Sequence, residues 1–250
     1  MRTHTRQWMG VLAAALMAAS VPGAALAVDV TDVLARTRAA TEPGKDMRAD
    51  VVFTITNERG DVVKWTGHLY RRNGVAPRLR LVFDEPLDLR GTEVSVARGD
   101  DGASRTRIYL PSMRRVRAID SDMRGESFLG TDFNYEDLGL QQLDYQQHRL
   151  EDVADATCYH IESIPNRGWW YGRIDRCIDK KDYLPRRTEY YDKSGVLWKV
   201  RTLDEVKKIG GHPTATEITM QTVPQRTSTT ITLSAVQYDT GLAESLFSEP

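Results

Sequence analysis

The stretch RADVVFTITNERGDVVKWTGHLY, residues 48–70, decides the fold class of this chain. On both sides of the polar turn at residues 57–61, every second residue is apolar or small. This period of two is that of a β-strand with one buried face. The stretch therefore predicts a hairpin, whose inward residues are Ala49, Val51, Phe53 and Ile55 on one strand and Val63, Trp65, Gly67 and Leu69 on the other.

Similar short runs continue along the rest of the chain, each bounded by Gly, Pro, Asn or Asp. In the first half they are marked by Leu79, Leu81 and Phe83, by Val94 and Val96, and by Ile108 and Leu110. In the second half they cover residues 186–192, 196–206, 214–222 and 228–236. Many short strands at close intervals predict an antiparallel sandwich or barrel.

One helix is expected before the first strand, at residues 29–41. Its inward face collects, at helical spacing, Val30, Val33, Leu34 and Thr37. Asp29 or Thr31 can cap the amino end, and Pro43 with Gly44 ends the helix.

The amino-terminal residues 1–27 have the layout of a secretory signal peptide. Two arginines precede an apolar run at residues 8–19, and Ala25-Leu26-Ala27 offers a cleavage site. The run is too short for a membrane span, and no cysteine follows the cleavage site to carry a lipid anchor. We therefore predict one periplasmic domain of residues 28–250. The formal net charge of −1 argues against a nucleic-acid binder.

The chain has two cysteines, Cys158 and Cys177, and an even number in an exported protein favours a disulfide. Residues 157–164 and 171–178 can form a hairpin that turns at residues 167–168. The register that places the cysteines opposite each other also matches His160 with Asp175, Glu162 with Arg173 and Ile161 with Ile174. This register predicts the disulfide, and two unpaired buried thiols are the alternative.

Alternation breaks down in MRRVRAIDSDMRGESFLGTDFNYEDL, residues 113–138. The segment opens with arginines and then turns to aromatic residues set among glycines and acids. This spacing is too irregular for one strand, so short helices and loops are expected from residue 121 to residue 143. The acids Glu136 and Asp137 are expected to cap a helix or to lie on the solvated surface, because adjacent helical residues point about 100° apart.

The sequence contains none of the motifs G-x-S-x-G, H-E-x-x-H and C-x-x-C, and no phosphate-binding glycine loop. Its histidines are not spaced like metal ligands on a helix or hairpin, and Ser127 has no histidine near it in the sequence. We therefore predict a protein that is not an enzyme and that uses no metal and no cofactor.

Four segments in order give the chain a resemblance to a known family: LVFDEPLDLRGTEVSV, IYLPSMRRVRAI, RGESFLGTDFNYEDL and DKKDYLPRRTEYYDKSGVL. They resemble the outer-membrane lipoprotein-sorting (LolA-like) family of exported proteins, and the ending YDTGLAESLFSEP is similar as well. The resemblance covers nearly all of residues 28–250. It implies a mainly β (α+β) fold, a strongly curved incomplete antiparallel β-barrel with short helices covering its open side.

Members of this fold carry or sense acyl chains between sheet and helices, which implies roles for particular residues. The cavity lining or cover would comprise Trp65, Leu69, Leu79, Leu81, Phe83, Phe128, Leu129, Phe133 and Tyr135. These side chains could equally form a filled core, as in small barrels. Contacts to a partner or to lipid head groups would come from Arg114, Arg115 and Arg117, unless these pair with Asp120, Asp122 and Asp137.

Three functions are compatible with these features. The one we favour is a periplasmic carrier that shields lipid or lipoprotein acyl chains in an apolar groove, contacts membranes transiently and is a monomer. The second is an accessory or sensory module docked on an inner-membrane exporter of the resistance-nodulation type. The third is an enzyme that acts on an envelope lipid.

Overall fold

The structure, a computed structural model, describes residues 28–99, 104–120, 123–138, 146–166 and 169–248. The predicted signal peptide lies outside these residues. Within them, thirteen strands form one sheet. In chain order the strands are β1 (Asp46–Thr56), β2 (Val62–Arg72), β3 (Arg78–Glu85), β4 (Glu93–Arg98), β5 (Ser104–Leu110), β6 (Arg115–Ile119), β7 (Gln146–Leu150), β8 (Cys158–Pro165), β9 (Arg173–Asp179), β10 (Pro185–Tyr191), β11 (Leu197–Ile209), β12 (His212–Thr222) and β13 (Thr227–Tyr238).

The strand order across the sheet is β6-β5-β4-β3-β2-β1-β13-β12-β11-β10-β9-β8-β7. All neighbours are antiparallel, and all except β1 and β13 follow each other in the chain. The sheet is thus two meanders joined by its first and last strands, with β6 and β7 as edges. This curved, unclosed sheet confirms the mainly β architecture, while the helical cover over its open side stays a prediction.

The periodicity of the sequence misses the two edge strands, β6 and β7. In β6 only Ile119 is buried, and β7 reads Gln-Gln-His-Arg-Leu with no fully buried residue. Exposed charged side chains on an edge strand hinder pairing with further strands. The same side chains weaken the contrast between inward and outward positions that reveals a strand in a sequence.

The predicted helix is present as α1 (Val30–Thr41), and its amino end is capped as expected. The backbone N–H of Thr31 donates a hydrogen bond to the Asp29 carboxylate at 3.0 Å. The buried face of α1 joins a small apolar cluster made of Val33, Leu34, Ile161 and Ile178. The helix therefore packs on β8 and β9, away from the main core.

The main core is centred on Phe53, Phe83 and Phe128, each at most 1% exposed. The ring centroids of Phe53 and Phe83 are 5.7 Å apart, and that of Phe128 lies 6.3 Å and 6.2 Å from them. These distances lie in the favourable range for aromatic pairs. Phe128 belongs to the irregular segment, so that segment contributes directly to the core.

The disulfide Cys158–Cys177 is present, with Cα atoms 5.2 Å apart, but the predicted hairpin register is wrong. Cys158 lies opposite Asp179, and His160 lies opposite Cys177, which is a shift of two residues. A shift of two keeps every side chain on its own face of the sheet. The cysteines therefore still meet, as diagonal neighbours.

The pairs expected beside the disulfide do not form. Glu162 lies opposite Asp175, and Ile161 lies opposite Arg176, so neither matches Arg173 or Ile174 as predicted. The reason is that Tyr171 is buried in the main core, with Trp169 and Trp170 packed against it, and the pairing of β9 with β8 begins only at Ile174, opposite Ser163. The predicted turn at residues 167–168 lies outside the described residues.

Candidate functional site

A cavity of about 230 Å³ lies between one face of the sheet, the carboxyl end of α1 and a helical turn, α2 (Tyr135–Leu138). Strands β1–β3 and β11–β13 supply most of its wall. The apolar part of the wall includes Met47, Val51, Phe53, Leu203, Ile218 and Leu233. A wall of this kind, with a few polar groups among apolar side chains, is typical of ligand pockets.

The nine predicted lining or cover residues fall into two groups. Four reach the cavity wall, namely Leu69, Leu79, Leu81 and Phe133. The other five pack in or against the main core, namely Trp65, Phe83, Phe128, Leu129 and Tyr135. Some of the nine residues therefore line the cavity, and the others pack in or against the core.

The irregular segment is built from a 3-10 turn at Met123–Gly125, then loops, then α2. Short helices and loops are what the loss of alternation predicts. The backbone N–H of Phe128 donates a hydrogen bond to the backbone carbonyl of Phe133 at 2.8 Å. This bond closes a tight loop of the chain between the two residues. A Cβ at Gly125 would lie 2.6 Å from the Trp170 ring, so this glycine permits close packing.

A buried polar network ties this segment to the sheet. The Asp132 carboxylate accepts hydrogen bonds from three hydroxyls on β12 and β13, those of Thr222, Thr227 and Thr229. On β11, the Lys199 ammonium donates to the Asp132 carbonyl at 2.5 Å and to the Asn134 side chain at 2.6 Å. Burial lowers the pKa of Lys199, and the charges of Asp137 and Asp132 offset part of that effect. These charge-assisted hydrogen bonds fix the segment firmly.

The acids Glu136 and Asp137 differ from expectation in one respect. Asp137 does cap, because its carboxylate accepts the Asn134 backbone N–H at 2.8 Å. It also lines the cavity and accepts from the Tyr171 hydroxyl at 3.3 Å. Both acids are half-buried, and burial raises the pKa of each, so the capping alternative holds for Asp137 and neither acid lies on the solvated surface.

Two arginines reach the cavity wall, Arg71 on β2 and Arg201 on β11. Arg201 is 8% exposed, and its Nη2 donates to the Thr188 hydroxyl at the long distance of 3.5 Å. Arg71 donates from Nη1 to the Thr41 carbonyl at the end of α1, at 2.9 Å. The Nε atoms of both arginines, and the Nη2 of Arg71, are buried without a hydrogen-bond partner.

Sequence reasoning missed both arginines, although a signal was present. Arg71 continues the inward set Trp65, Gly67 and Leu69 at a period of two, and Arg201 precedes the inward Leu203 by two. When a strand is predicted from its apolar residues alone, the predicted strand stops at the first inward position that holds a charged residue. The period itself would have placed both guanidinium groups on the inner face.

The predicted contact arginines lie on the exposed edge of the sheet. Arg114 sits in the turn before β6 with φ of 48°, and Arg115 and Arg117 are exposed on β6. The Nη2 of Arg117 contacts the Met123 sulfur at 3.6 Å. Among the described residues none of the three forms an ion pair with a carboxylate. The alternative of pairing with Asp120 or Asp137 is therefore not seen, and Asp122 lies outside the described residues.

The chain end is fastened to the start of β1. The carboxylate of Asp46, which is 5% exposed, accepts hydrogen bonds from the backbone of Thr240, Gly241 and Leu242. Beyond it, Glu244 forms ion pairs with Arg72 and Arg78. The ending that resembles the family's ending is thus attached to the sheet through hydrogen bonds and ion pairs.

Two further observations concern the described residues only. None of their helices combines the length and the apolar character that crossing a membrane requires. Nor do they contain three or more His, Cys, Asp or Glu side chains grouped closely enough to bind a metal ion.

An unclosed, curved antiparallel sheet with a largely apolar cavity on one face places the protein in the class of incomplete β-barrels. A family model described as an uncharacterized protein matches residues 78–250. The chain belongs to that family, and its structural neighbours are LolA-like, as the sequence motifs indicate. No curated protein sequence matches the chain.

Three solved structures share this architecture. A DUF1329 family protein from Desulfovibrio piger is 28% identical, with a TM-score of 0.79 over 87% of this chain and 95% of that chain. A protein from Vibrio parahaemolyticus, described as an outer membrane lipoprotein-sorting protein domain, is 25% identical, with a TM-score of 0.79 over 86% and 94%. A LolA superfamily protein from Nitrosomonas europaea shares the fold at 15% identity, with a TM-score of 0.71 over 89% and 99%.

Proposed function

We propose that the protein is a non-catalytic periplasmic carrier that shields the acyl chain of a lipid or lipoprotein in its cavity. The observation that carries the proposal is the apolar wall formed by β1–β3 and β11–β13. The likeness to the lipoprotein-sorting domain from Vibrio parahaemolyticus supports it. An acyl chain gains about 0.8 kcal/mol for each buried CH₂ group, so a partly buried chain already binds usefully.

The size of the cavity limits what it holds without rearrangement. Its volume of about 230 Å³ lies below the 300–1,000 Å³ of pockets for drug-sized ligands. One acyl chain segment therefore fits the wall as it stands, and further chains require part of the wall to move.

The part that we expect to move is the carboxyl end of α1. Residues 40–43 form one side of the cavity, and α1 is buried against its own small cluster. The irregular segment is held by the Asp132 network and by buried Phe128, so it serves as a fixed wall. The cover of the open side would then consist of a part that moves, the carboxyl end of α1, and a part that is fixed, α2.

The exposed arginines on β6 and in the turn before it indicate where the carrier would contact a membrane. Arg114, Arg115 and Arg117 carry positive charge on an edge with few neighbours, beside the exposed apolar residues Met113 and Val116. We propose that this edge contacts the anionic head groups of a membrane during loading or delivery. Such contact is transient, because exposed charges are screened over about 10 Å at 0.1 M salt.

Native mass spectrometry after gentle purification tests the proposed function. The protein should be produced with its amino-terminal residues and isolated from the periplasm as a monomer of residues 28–250 with bound lipid. Organic extraction should release the lipid, and the stripped protein should take up a fluorescent fatty acid. Protein without lipid and without uptake would contradict the carrier, and co-purification with a membrane exporter instead would favour the accessory module.

A further inference from the structure

The cavity contains a positive charge that none of the described carboxylates neutralises through an ion pair. Arg201 is 8% exposed, yet no described carboxylate lies within ion-pair distance of it. Its hydrogen bond to the Thr188 hydroxyl is 3.5 Å long, and its Nε has no partner. An arginine stays protonated in proteins, so it cannot avoid the cost of burial by losing its charge. Buried charges in folded proteins are normally paired.

The charged residues near Arg201 do not supply the missing negative charge. Burial lowers the pKa of Arg176 to about 10, and the positive charge of Arg201 acts in the same direction. Two acids line the same cavity, Glu42 and Asp137. Burial lowers the pKa of Arg71, and the charge of Glu42 acts against this effect. The oxygens of Asp137 already accept from Asn134 and Tyr171. Burial raises the pKa of Asp137, and Lys199 opposes this more strongly than Arg201 does. The Asp137 carboxylate is therefore already hydrogen-bonded to groups other than Arg201.

Arg71 adds a second guanidinium to the same cavity. One of its nitrogens donates to the Thr41 carbonyl, while its Nε and Nη2 are buried without partners. The two arginines therefore offer unused N–H donors at an otherwise apolar wall. Planar guanidinium groups match the two oxygens of a carboxylate or a phosphate.

We infer that the cavity binds a single-chain amphiphile with an acidic head group, whose oxygens are held by Arg201 and Arg71 and whose chain lies along the apolar wall. This inference rests on the proposed carrier function and specifies the ligand. A neutral lipid brings no negative charge to the two guanidinium groups, whereas a carboxylate or phosphate head group supplies both the charge and the acceptor oxygens. A free inorganic anion would leave the apolar wall empty.

The experiment measures binding of four probes to delipidated protein: palmitic acid, its methyl ester, a C16 alkyl phosphate and inorganic phosphate. Hydrogen bonds to charged groups contribute about 1.5–3 kcal/mol, which corresponds to roughly a tenfold to hundredfold preference for the acid over the ester. The alkyl phosphate should bind comparably to the acid. Inorganic phosphate should fail to displace either. Displacement by millimolar phosphate would indicate a simple anion site and overturn the inference.

Arg201→Met should reduce acid binding to the level of the ester and leave ester binding within about threefold. It should also leave the melting temperature of the ligand-free protein unchanged or raised, because replacing a buried unpaired charge with an apolar side chain is often stabilising. Arg201→Lys should restore part of the preference. A marked loss of stability in Arg201→Met would show a structural role instead, and this outcome would overturn the inference.

Arg176→Met is the matched control. Arg176 is also buried, at 7% exposed, but it donates to Ser163 at 2.5 Å and to Gln146 at 3.1 Å. Its loss should lower stability while keeping the acid-to-ester preference within about threefold. If wild-type protein binds acid and ester equally well, the carrier function stands and the head-group inference fails. If it binds neither, both fail.

Discussion

The Lys199 Nζ lies 2.6 Å from the Oδ1 of Asn134, and this contact joins two residues 65 positions apart in the chain. Lys199 is on β11, and Asn134 lies directly before α2. The contact belongs to the network around Asp132 that holds the irregular segment on the inner face of the sheet. This arrangement makes the segment a fixed part of the cavity wall, and the predictions below depend on it.

Asp132→Asn should destabilise the protein by about 2–3 kcal/mol, because the charged acceptor of three threonine hydroxyls is lost. Asp204→Asn is the control, since the Asp204 carboxylate accepts from the Thr202 hydroxyl at an exposed position. Its effect should stay within about 0.5 kcal/mol. Urea denaturation of both variants measures the difference, and equal losses would contradict the role of the network.

Phe128→Ala and Phe133→Ala should separate core packing from cavity lining. Phe128 is surrounded by Phe53, Phe83 and Tyr135, so its truncation should cost about 3–5 kcal/mol. Phe133 borders an existing cavity, so its truncation should cost less and should change the uptake of a fluorescent fatty acid. Equal stability losses, with no uptake by wild type or variant, would mean that the barrel is filled.

Acid should release the chain end from β1. Burial raises the pKa of the Asp46 carboxyl, but hydrogen bonds from Thr240, Leu242 and Gly241 outweigh burial and hold the pKa below its ordinary value. A lowered pKa stabilises the folded state above the unfolded-state value, and this contribution disappears as the pH falls through the folded-state pKa.

The test of this acid effect is Asp46→Asn. The variant should be less stable than wild type at pH 7, and the two stabilities should begin to converge as the pH falls below about 3.9, the ordinary pKa of an aspartate. Unfolding measured by denaturant between pH 7 and pH 3 gives the comparison. A difference that stays constant across this range would show that the ionised carboxylate is not the source.

The disulfide should be fully formed in protein isolated from an oxidising compartment. Denatured, non-reduced protein should then show no free-thiol labelling at Cys158 or Cys177. The bridged cysteines are 19 positions apart, so the double change to serine should cost about 3 kcal/mol through the freed loop of the unfolded chain. Labelling of both thiols would contradict the bridge.

Changing Arg114, Arg115 and Arg117 together to glutamine should weaken binding to vesicles that contain anionic lipid. The loss should shrink as salt rises, because these exposed charges act through a screened potential. Changing Arg48, Arg59 and Arg226, which are exposed elsewhere, to glutamine gives a variant with the same loss of charge. Equal weakening by both triple variants would indicate net charge alone, without a specific contact edge.

The sequence by itself determined the local elements of this protein. The hairpin of residues 48–70 forms in the expected alternation, with Phe53 opposite Trp65 and Val51 opposite Gly67. The helix α1 begins at its predicted cap. These features follow from side-chain periods of two and 3.6 and from turn residues, all of which act between near neighbours in the chain.

Only the tertiary structure decided how distant segments meet. It pairs β1 with β13, shifts the cysteine hairpin by two residues, and brings Asp132 to threonines at least 90 positions away. It also turns Arg71 and Arg201 toward one cavity. A local pattern fixes which face a side chain occupies, but the packing of the whole sheet fixes what that face meets. The cavity and its unpaired charges therefore become visible only in three dimensions.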